Sequence, residues 1–180
     1  MLRVQNVDVR FGGIVALDDV SFDVPSGNIV GLIGPNGAGK TTLFNCLSRL
    51  YQCGSGDILF DGSSLLAVPR HRVALIGIGR TFQNLALFRT MTVLENIMVG
   101  RHCRTQSGFF ANALRLPAVA KEEDATNDRA QALLRLLDLE SVAGARVAEL
   151  PFGTQKRVEV ARALASEPKL LLLDEPASGL

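Results

Sequence analysis

GPNGAGKTT, Gly34 to Thr42, decides how the rest of this 180-residue sequence is read. It fits the spacing G-x-x-x-x-G-K-[ST], with Gly34, Gly39, Lys40 and Thr41 at the fixed positions. An apolar run, Ile29 to Ile33, precedes it between Gly27 and Gly34 and reads as a fully buried strand. Leu43, Phe44, Leu47 and Leu50 follow at helical spacing. Strand, glycine loop and helix in that order are the context in which such a loop holds phosphate. Glycines let successive backbone N–H groups point into one concavity, and the positive end of the following helix adds to the field. Gly34, Pro35, Asn36, Gly37, Ala38, Gly39, Lys40, Thr41 and Thr42 are therefore the candidate nucleotide-binding residues. Lys40 would reach the β- and γ-phosphates, and the Thr41 hydroxyl would ligate Mg²⁺.

The last stretch, LLLLDEPASGL from Leu170 to Leu180, gives the loop a counterpart. Four leucines read as a buried strand, and it ends in two acids. In a phosphate-loop protein such a strand tip holds the metal. Asp174 is the candidate metal-side carboxylate, and Glu175 the candidate general base for the attacking water.

Bulk composition narrows the class. Hydrophobic residues at 47% and charged residues at 21% suit a globular chain with a real core. A net charge of +1 supplies no field for nucleic acid. No run approaches the length of a membrane span, and MLRVQNVDVR lacks the apolar stretch of a secretory signal. Cys46, Cys53 and Cys103 show no metal-ligand spacing and read as free thiols of a reducing compartment.

Along the chain, Leu2, Val4, Val7 and Val9 predict a strand, as do Val20, Phe22 and Val24 by alternation, and Ile58 to Phe60 before the Asp61-Gly62 turn. From Met91 strand signals fade. Helices are predicted over Val93–Val99, over Glu122–Leu139 with Ala130, Leu133, Leu134 and Leu137 on one face, and over Gln155–Ser166 with Val158, Ala161, Leu164 and Ala165 inward. Pro117 is read as separating the second of these from what precedes it.

With four motifs in one order, the sequence resembles the ATP-binding-cassette ATPases over essentially its whole length. The first motif is GPNGAGKTTL. RTFQNLALF (Arg80 to Phe88) resembles the family's glutamine loop, with Gln83 in the sensing position. LPFGTQKRVEVARALA (Leu150 to Ala165) resembles its signature and the helix after it, and LLLLDEPASGL its acid strand. The resemblance implies an α/β fold: a phosphate-loop (RecA-like) core with an antiparallel β subdomain and an inserted helical subdomain. Here 1–90 and 166–180 would be core plus β subdomain, and 91–165 the helical part. It implies ATP and Mg²⁺ as cofactors, Gln83 and Glu175 as catalytic residues, and Thr41, Gln83 and Asp174 around the metal. Phe11 matches the aromatic that stacks on adenine. Leu150, Pro151, Phe152, Gly153 and Thr154 stand where the signature meets nucleotide on a second ATPase subunit.

The resemblance is narrower still with GIGRTFQNLALFRTMTVLENIMVGRH and QKRVEVARAL, which are similar to the ATPases of branched-chain amino acid importers; urea and lipopolysaccharide cassettes share some of these features. Implied partners are a second cassette and membrane permease subunits, with no nucleic acid, at the cytoplasmic face of the inner membrane. Leu85, Leu87, Phe88, Met91, Val93 and Met98 are candidates for the permease contact, with packing of the helical subdomain the alternative for each one. A DNA- or ribosome-acting cassette lacks support from charge, and no N-K-x-D occurs to read guanine.

Two departures stand out. The usual signature serine is replaced by Pro151, which has neither hydroxyl nor N–H, so reliance on backbone and helix dipole is expected. The family also continues past the position of Leu180 through further strands and a switch histidine, a role that neither His71 nor His102 can take. A missing C-terminal part of the fold is therefore expected, and with it the alternative of a hydrolysis-deficient nucleotide-binding fragment.

Overall fold

The computed structural model describes residues 1–82, 85–104 and 117–175. The chain forms two compact units, Met1–Ile76 and Gly77–Leu180.

In the first unit, β1 (Leu2–Phe11) and β2 (Ile14–Val24) form a hairpin around Gly12-Gly13, and β3 (Ser55–Phe60) and β4 (Ser63–Ser64) form another around Asp61-Gly62. The antiparallel order is β2-β1-β3-β4. Asp61 and Gly62 both take positive φ, as a tight hairpin turn requires. The inward residues Leu2, Val4, Val7 and Val9 are spaced two, three and two apart. The three-residue step is absorbed at Asn6, whose φ is 46°, where the β1 register shifts against both neighbours. One extra residue there returns Val7 and Val9 to the buried face. Val20, Phe22 and Val24 are half-buried, as their alternation predicted. The helix α1 (Lys40–Leu47) buries Leu43, Cys46 and Leu47. Leu50 falls beyond it, because Arg49 takes a left-handed φ of 58° that ends the helix.

The run Ile29–Ile33 departs from expectation. It forms no strand with any described residue, and Ile29 and Ile33 are fully exposed. An apolar run becomes a strand only where neighbours take its N–H and C=O groups, and neither described sheet includes it.

In the second unit, β5 (Ile78–Arg80) pairs in parallel with β6 (Leu170–Leu172). Around them lie α2 (Val93–Gly100), α3 (Pro117–Leu136) and α4 (Phe152–Ala165). These helices share one core that includes Val93, Ile97, Ala130, Leu133, Leu134, Val158, Ala161 and Ala165. A capping box starts α2: the Thr92 hydroxyl accepts from Glu95 N, and Glu95 accepts from Thr92 N. Two predicted helix starts move. Pro117 opens α3 rather than preceding it, since proline lacks only an N–H that the first turn leaves unused. Phe152 opens α4 three residues early, because a first turn needs no apolar period. At the other end α3 stops at Leu136, Asp138 takes φ 52°, and Leu139 N returns to the Leu134 carbonyl at 2.8 Å.

Candidate functional site

Local geometry in the first unit builds the phosphate loop. Ala38 N closes a turn on the Pro35 carbonyl at 3.2 Å, and Gly37 and Gly39 each take φ 83°. Gly39 caps α1 in that left-handed state, and Leu43 N returns to its carbonyl at 2.9 Å. A Cβ at Gly39 would lie 2.8 Å from Leu17 Cδ2 and closer still to the Ala16 carbonyl oxygen, so glycine is required there twice over. At Gly37 the space is open. The Lys40 ammonium folds back and donates to the carbonyls of Gly34 (2.7 Å) and Pro35 (2.8 Å). Thr41 is exposed and Thr42 half-buried, both on the first turn of α1. Short-range loop donors, a cation held at the loop mouth and a helix start are a set that suits an anion. Asn36 and Gly37 lie at the exposed tip of the loop.

Phe11 ends β1 at the tip of its hairpin, with its ring 45% exposed. The ring meets Tyr51 edge-on, centroids 5.1 Å apart at 72°. An open aromatic face held by a second ring suits base stacking. Sequence reading missed Tyr51, which lies forty positions away.

In the second unit, Asp174 lies beyond β6 and is 7% exposed. Its Oδ2 is 3.1 Å from Arg80 Nη2, and its N–H donates to Thr81 Oγ1 at 3.1 Å. The adjacent strand β5 thus supplies the cation at Arg80, and Thr81, just after it, the hydroxyl that accepts from the Asp174 backbone. Arg80 is itself 5.2 Å over the Phe82 ring. Glu175 is exposed and takes φ 47°, an uncommon state for a residue other than glycine, asparagine or aspartate. Gln83 and Ser178 to Leu180 lie outside the described residues.

The signature segment opens α4. Pro151 stands at the N-cap and offers no side-chain cap, as its chemistry dictates, while Gln155 N reaches the Pro151 carbonyl at 3.0 Å. The Gln155 amide donates to the Leu150 carbonyl at 2.8 Å, which fixes the entry to the helix. Phe152 is 46% exposed, with Lys156 Nζ 5.6 Å over its ring. Gly153 and Thr154 are half-buried.

Two further α4 side chains reach the segment after β5. Glu159 is 1% exposed and accepts from Phe82 N at 2.9 Å, with Lys156 Nζ at 3.9 Å. Arg162 donates to the Ala86 carbonyl. Burial pushes the Arg162 guanidinium below its ordinary value, and the Glu159 charge opposes that. Nothing in the helical period marks Glu159 as buried. Of the apolar residues read as a permease contact, Val93 is fully buried in the helical core, and Leu87 and Met98 pack against it. That part of the expectation is corrected, since three of the six serve the core. Phe88 is 47% exposed, and Leu85 and Met91 are half-buried.

Thr41 and Asp174 offer hard oxygen donors of the kind Mg²⁺ takes. Among the described residues no group of three or more His, Cys, Asp or Glu could cage a metal.

Comparison with known proteins follows the same lines. A family profile described as ABC transporter matches residues 17–178. The chain is 41% identical over 180 residues to LivG of Escherichia coli K12, a high-affinity branched-chain amino acid transport ATP-binding protein, and spans 71% of that relative's length. Among solved structures it resembles the ADP conformation of MJ1267, an ATP-binding cassette of an ABC transporter. There the identity is 34% and the TM-score 0.82, covering 99% of this chain and 70% of that one. It also resembles a dimeric post-hydrolysis state of the cassette MJ0796 bound to ADP and Pi, at 27% identity and TM-score 0.82, covering 100% of this chain and 76% of that one.

Proposed function

This chain belongs to the ABC transporter family of ATPases, and from that premise we propose that it binds and hydrolyses ATP to power import of branched-chain amino acids through separate membrane subunits. The observation that carries this reading is the Gly34–Lys40 loop on the start of α1, with its lysine held on loop carbonyls. Lys40 exchanges the Gly34 and Pro35 carbonyls for phosphate oxygens, and the loop N–H groups orient the chain of phosphates. Thr41, Gln83 and Asp174 are the residues that would hold Mg²⁺, which would supply neutralisation of charge on the transferred phosphoryl group. Arg80 holds the Asp174 carboxylate in one orientation, and Thr81 holds the Asp174 backbone N–H. Glu175 takes the proton of the attacking water. Phe11 stacks the adenine, with Tyr51 setting the plane of its ring.

A second cassette supplies the opposing signature, as the dimeric MJ0796 structure suggests by analogy. Leu150 to Thr154 then meet the partner's nucleotide through backbone N–H groups at the start of α4, because Pro151 has no hydroxyl to give. Among the described residues no helix is long and apolar enough to cross a membrane. From the likeness to transport ATP-binding subunits, the reading places the chain peripherally, at the cytoplasmic face, against permease subunits, with exposed Phe88 the strongest contact residue.

The test is ATP turnover by the purified full chain beside a Glu175→Gln variant. We expect the variant to bind nucleotide and lose at least about a hundredfold in turnover, in the range of one general-base contribution. Equal rates would remove the hydrolytic reading and leave a nucleotide-binding protein. ATP-driven leucine uptake in vesicles carrying the cognate membrane subunits tests the solute. Uptake of urea or sulfate instead would correct the substrate and leave the ATPase standing.

A further inference from the structure

The chain leaving β5 is held by helix side chains. Thr81 N donates to the Leu172 carbonyl at 3.0 Å, on the β6 side of β5. Successive N–H groups of an extended chain point to opposite edges, so Phe82 N faces away from β6. Among the described residues β5 has no other strand beside it. Glu159 of α4, 1% exposed, meets this donor at 2.9 Å. Further on, Arg162 donates to the Ala86 carbonyl. The buried Asn96 side chain of α2 accepts from Phe88 N at 2.9 Å and donates to the Phe88 carbonyl at 3.0 Å. Phe82, Ala86 and Phe88 thus hang from two helices rather than from a sheet.

Glu159 also faces the signature. Phe152, Lys156 and Glu159 are spaced four and three apart and share one face of α4. Lys156 is 5% exposed. Its Nζ lies 3.9 Å from Glu159 Oε2 and 5.6 Å over the Phe152 ring, which is open to solvent. Glu159 Oε2 is buried and takes no hydrogen bond, so Lys156 answers its charge at ion-pair distance alone. A neutral amide would accept from Phe82 N equally well and would cost less to bury. The carboxylate adds one thing to that contact, an electrostatic tie to the lysine that lies over the signature phenylalanine.

We propose that Glu159 is a positioning residue: it fixes the backbone at Phe82, and so the start of Gln83, to the helix that carries the signature, with Lys156 and Phe152 as the link. The proposal rests on the ATPase reading for the role of Gln83. Gln83 follows Phe82 directly in the chain, so loss of the Glu159 contact frees the backbone at the point where Gln83 begins. A displacement of the first turn of α4 is carried to the same point through Lys156 and Glu159.

The experiment follows amide exchange by NMR in the nitrogen-15-labelled full chain without nucleotide. The measured quantity is the exchange rate of Phe82 N–H divided by that of Ala161 N–H within α4, so that a general loss of stability cancels. Glu159→Leu removes the acceptor and should raise the ratio about tenfold, the scale of one lost hydrogen bond. Glu159→Gln keeps a carbonyl and should stay within about threefold of wild type. Lys156→Met/Glu159→Leu leaves no unpaired lysine, should match Glu159→Leu, and decides the matter where the single variant does not fold. Val158→Ala, which only loosens the packing of α4, should leave the ratio unchanged. ATP turnover is the second readout. Loss of the acceptor should lower kcat at least about tenfold with the Kd for ATP within about twofold, and Glu159→Gln should restore kcat. The proposal is overturned by an unchanged ratio in the double variant, by glutamine losing as much as leucine, or by Val158→Ala giving the same change. A kcat that stays at the wild-type value without the acceptor also overturns it. A wild-type chain that hydrolyses no ATP would instead remove the proposed activity, and the exchange ratio would still decide whether Glu159 holds Phe82.

Discussion

Replacing Arg80 by methionine tests whether the acid strand is held as described. The Arg80 and Asp174 side chains are 7% and 9% exposed and meet at 3.1 Å across the β5–β6 pair. Removing the cation leaves a carboxylate with little water to solvate it, and breaking a buried pair from one side costs about 3–5 kcal/mol. Methionine keeps part of the contact with Phe82, so the lost packing is the smaller part of that figure. Against a total stability of about 5–15 kcal/mol the change is large. With a urea dependence of about 2 kcal/mol per molar, the midpoint should fall by about 1.5–2.5 M. A surface pair would give under about 1 kcal/mol, or under about 0.5 M. The Arg80→Met/Asp174→Leu double variant carries no buried charge and should regain most of the loss. Urea unfolding followed by circular dichroism measures all three proteins. A midpoint shift below about 0.5 M for Arg80→Met, or a double variant as unstable as the sum of its parts, would refute the reasoning.

Other perturbations separate further contributions. Gly39→Ala forces a Cβ against the Ala16 carbonyl and Leu17 at φ 83° and should cost about 2 kcal/mol or more with loss of nucleotide binding. Gly37→Ala, at the same φ in open space, should cost about 1 kcal/mol; equal effects of the two would remove the steric argument. Thr92→Ala deletes one arm of the capping box and should cost about 1 kcal/mol, with Thr92→Ser near wild type, read by thermal unfolding. Glu167 is held below the ordinary carboxylate range by its hydrogen bond from Arg101, against burial, with Arg101, Arg129 and Arg104 charges assisting. A lowered folded value means its stabilisation is present above the unfolded pKa and lost as pH falls through the folded one. Glu167→Gln should therefore be less stable than wild type at pH 7, by under about 1 kcal/mol since the pair is half exposed. That gap should close below about pH 4; a gap that persists in acid would assign the effect to packing.

How far each feature was legible depends on the range of the interaction that fixes it. The glycine loop is set by backbone states within nine residues, and its spacing alone located Gly39 and Lys40. The faces of α3 and α4 follow a local period, so Ala130, Leu133, Val158 and Ala161 were read correctly as core. The run Ile29–Ile33 shows the limit of that approach: its composition states a preference for burial, but strand formation belongs to neighbours that no local pattern specifies. Arg80 and Asp174 are 94 positions apart, and nothing in GIGRTFQ distinguishes an arginine that will pair with an acid from one that faces water. Glu159 is the sharper case. On a helical wheel it is a charge beside an apolar face, yet it is buried because Phe82 N–H, 77 positions away, has its acceptor there. An unpaired buried donor would cost about 1–3 kcal/mol, enough to outweigh the preference of one carboxylate for solvent when Lys156 lies beside it. The helix that carries the signature residues thus also supplies the acceptor for the segment leaving β5. The two motifs are therefore coupled by a polar contact that hydrophobic patterning cannot express.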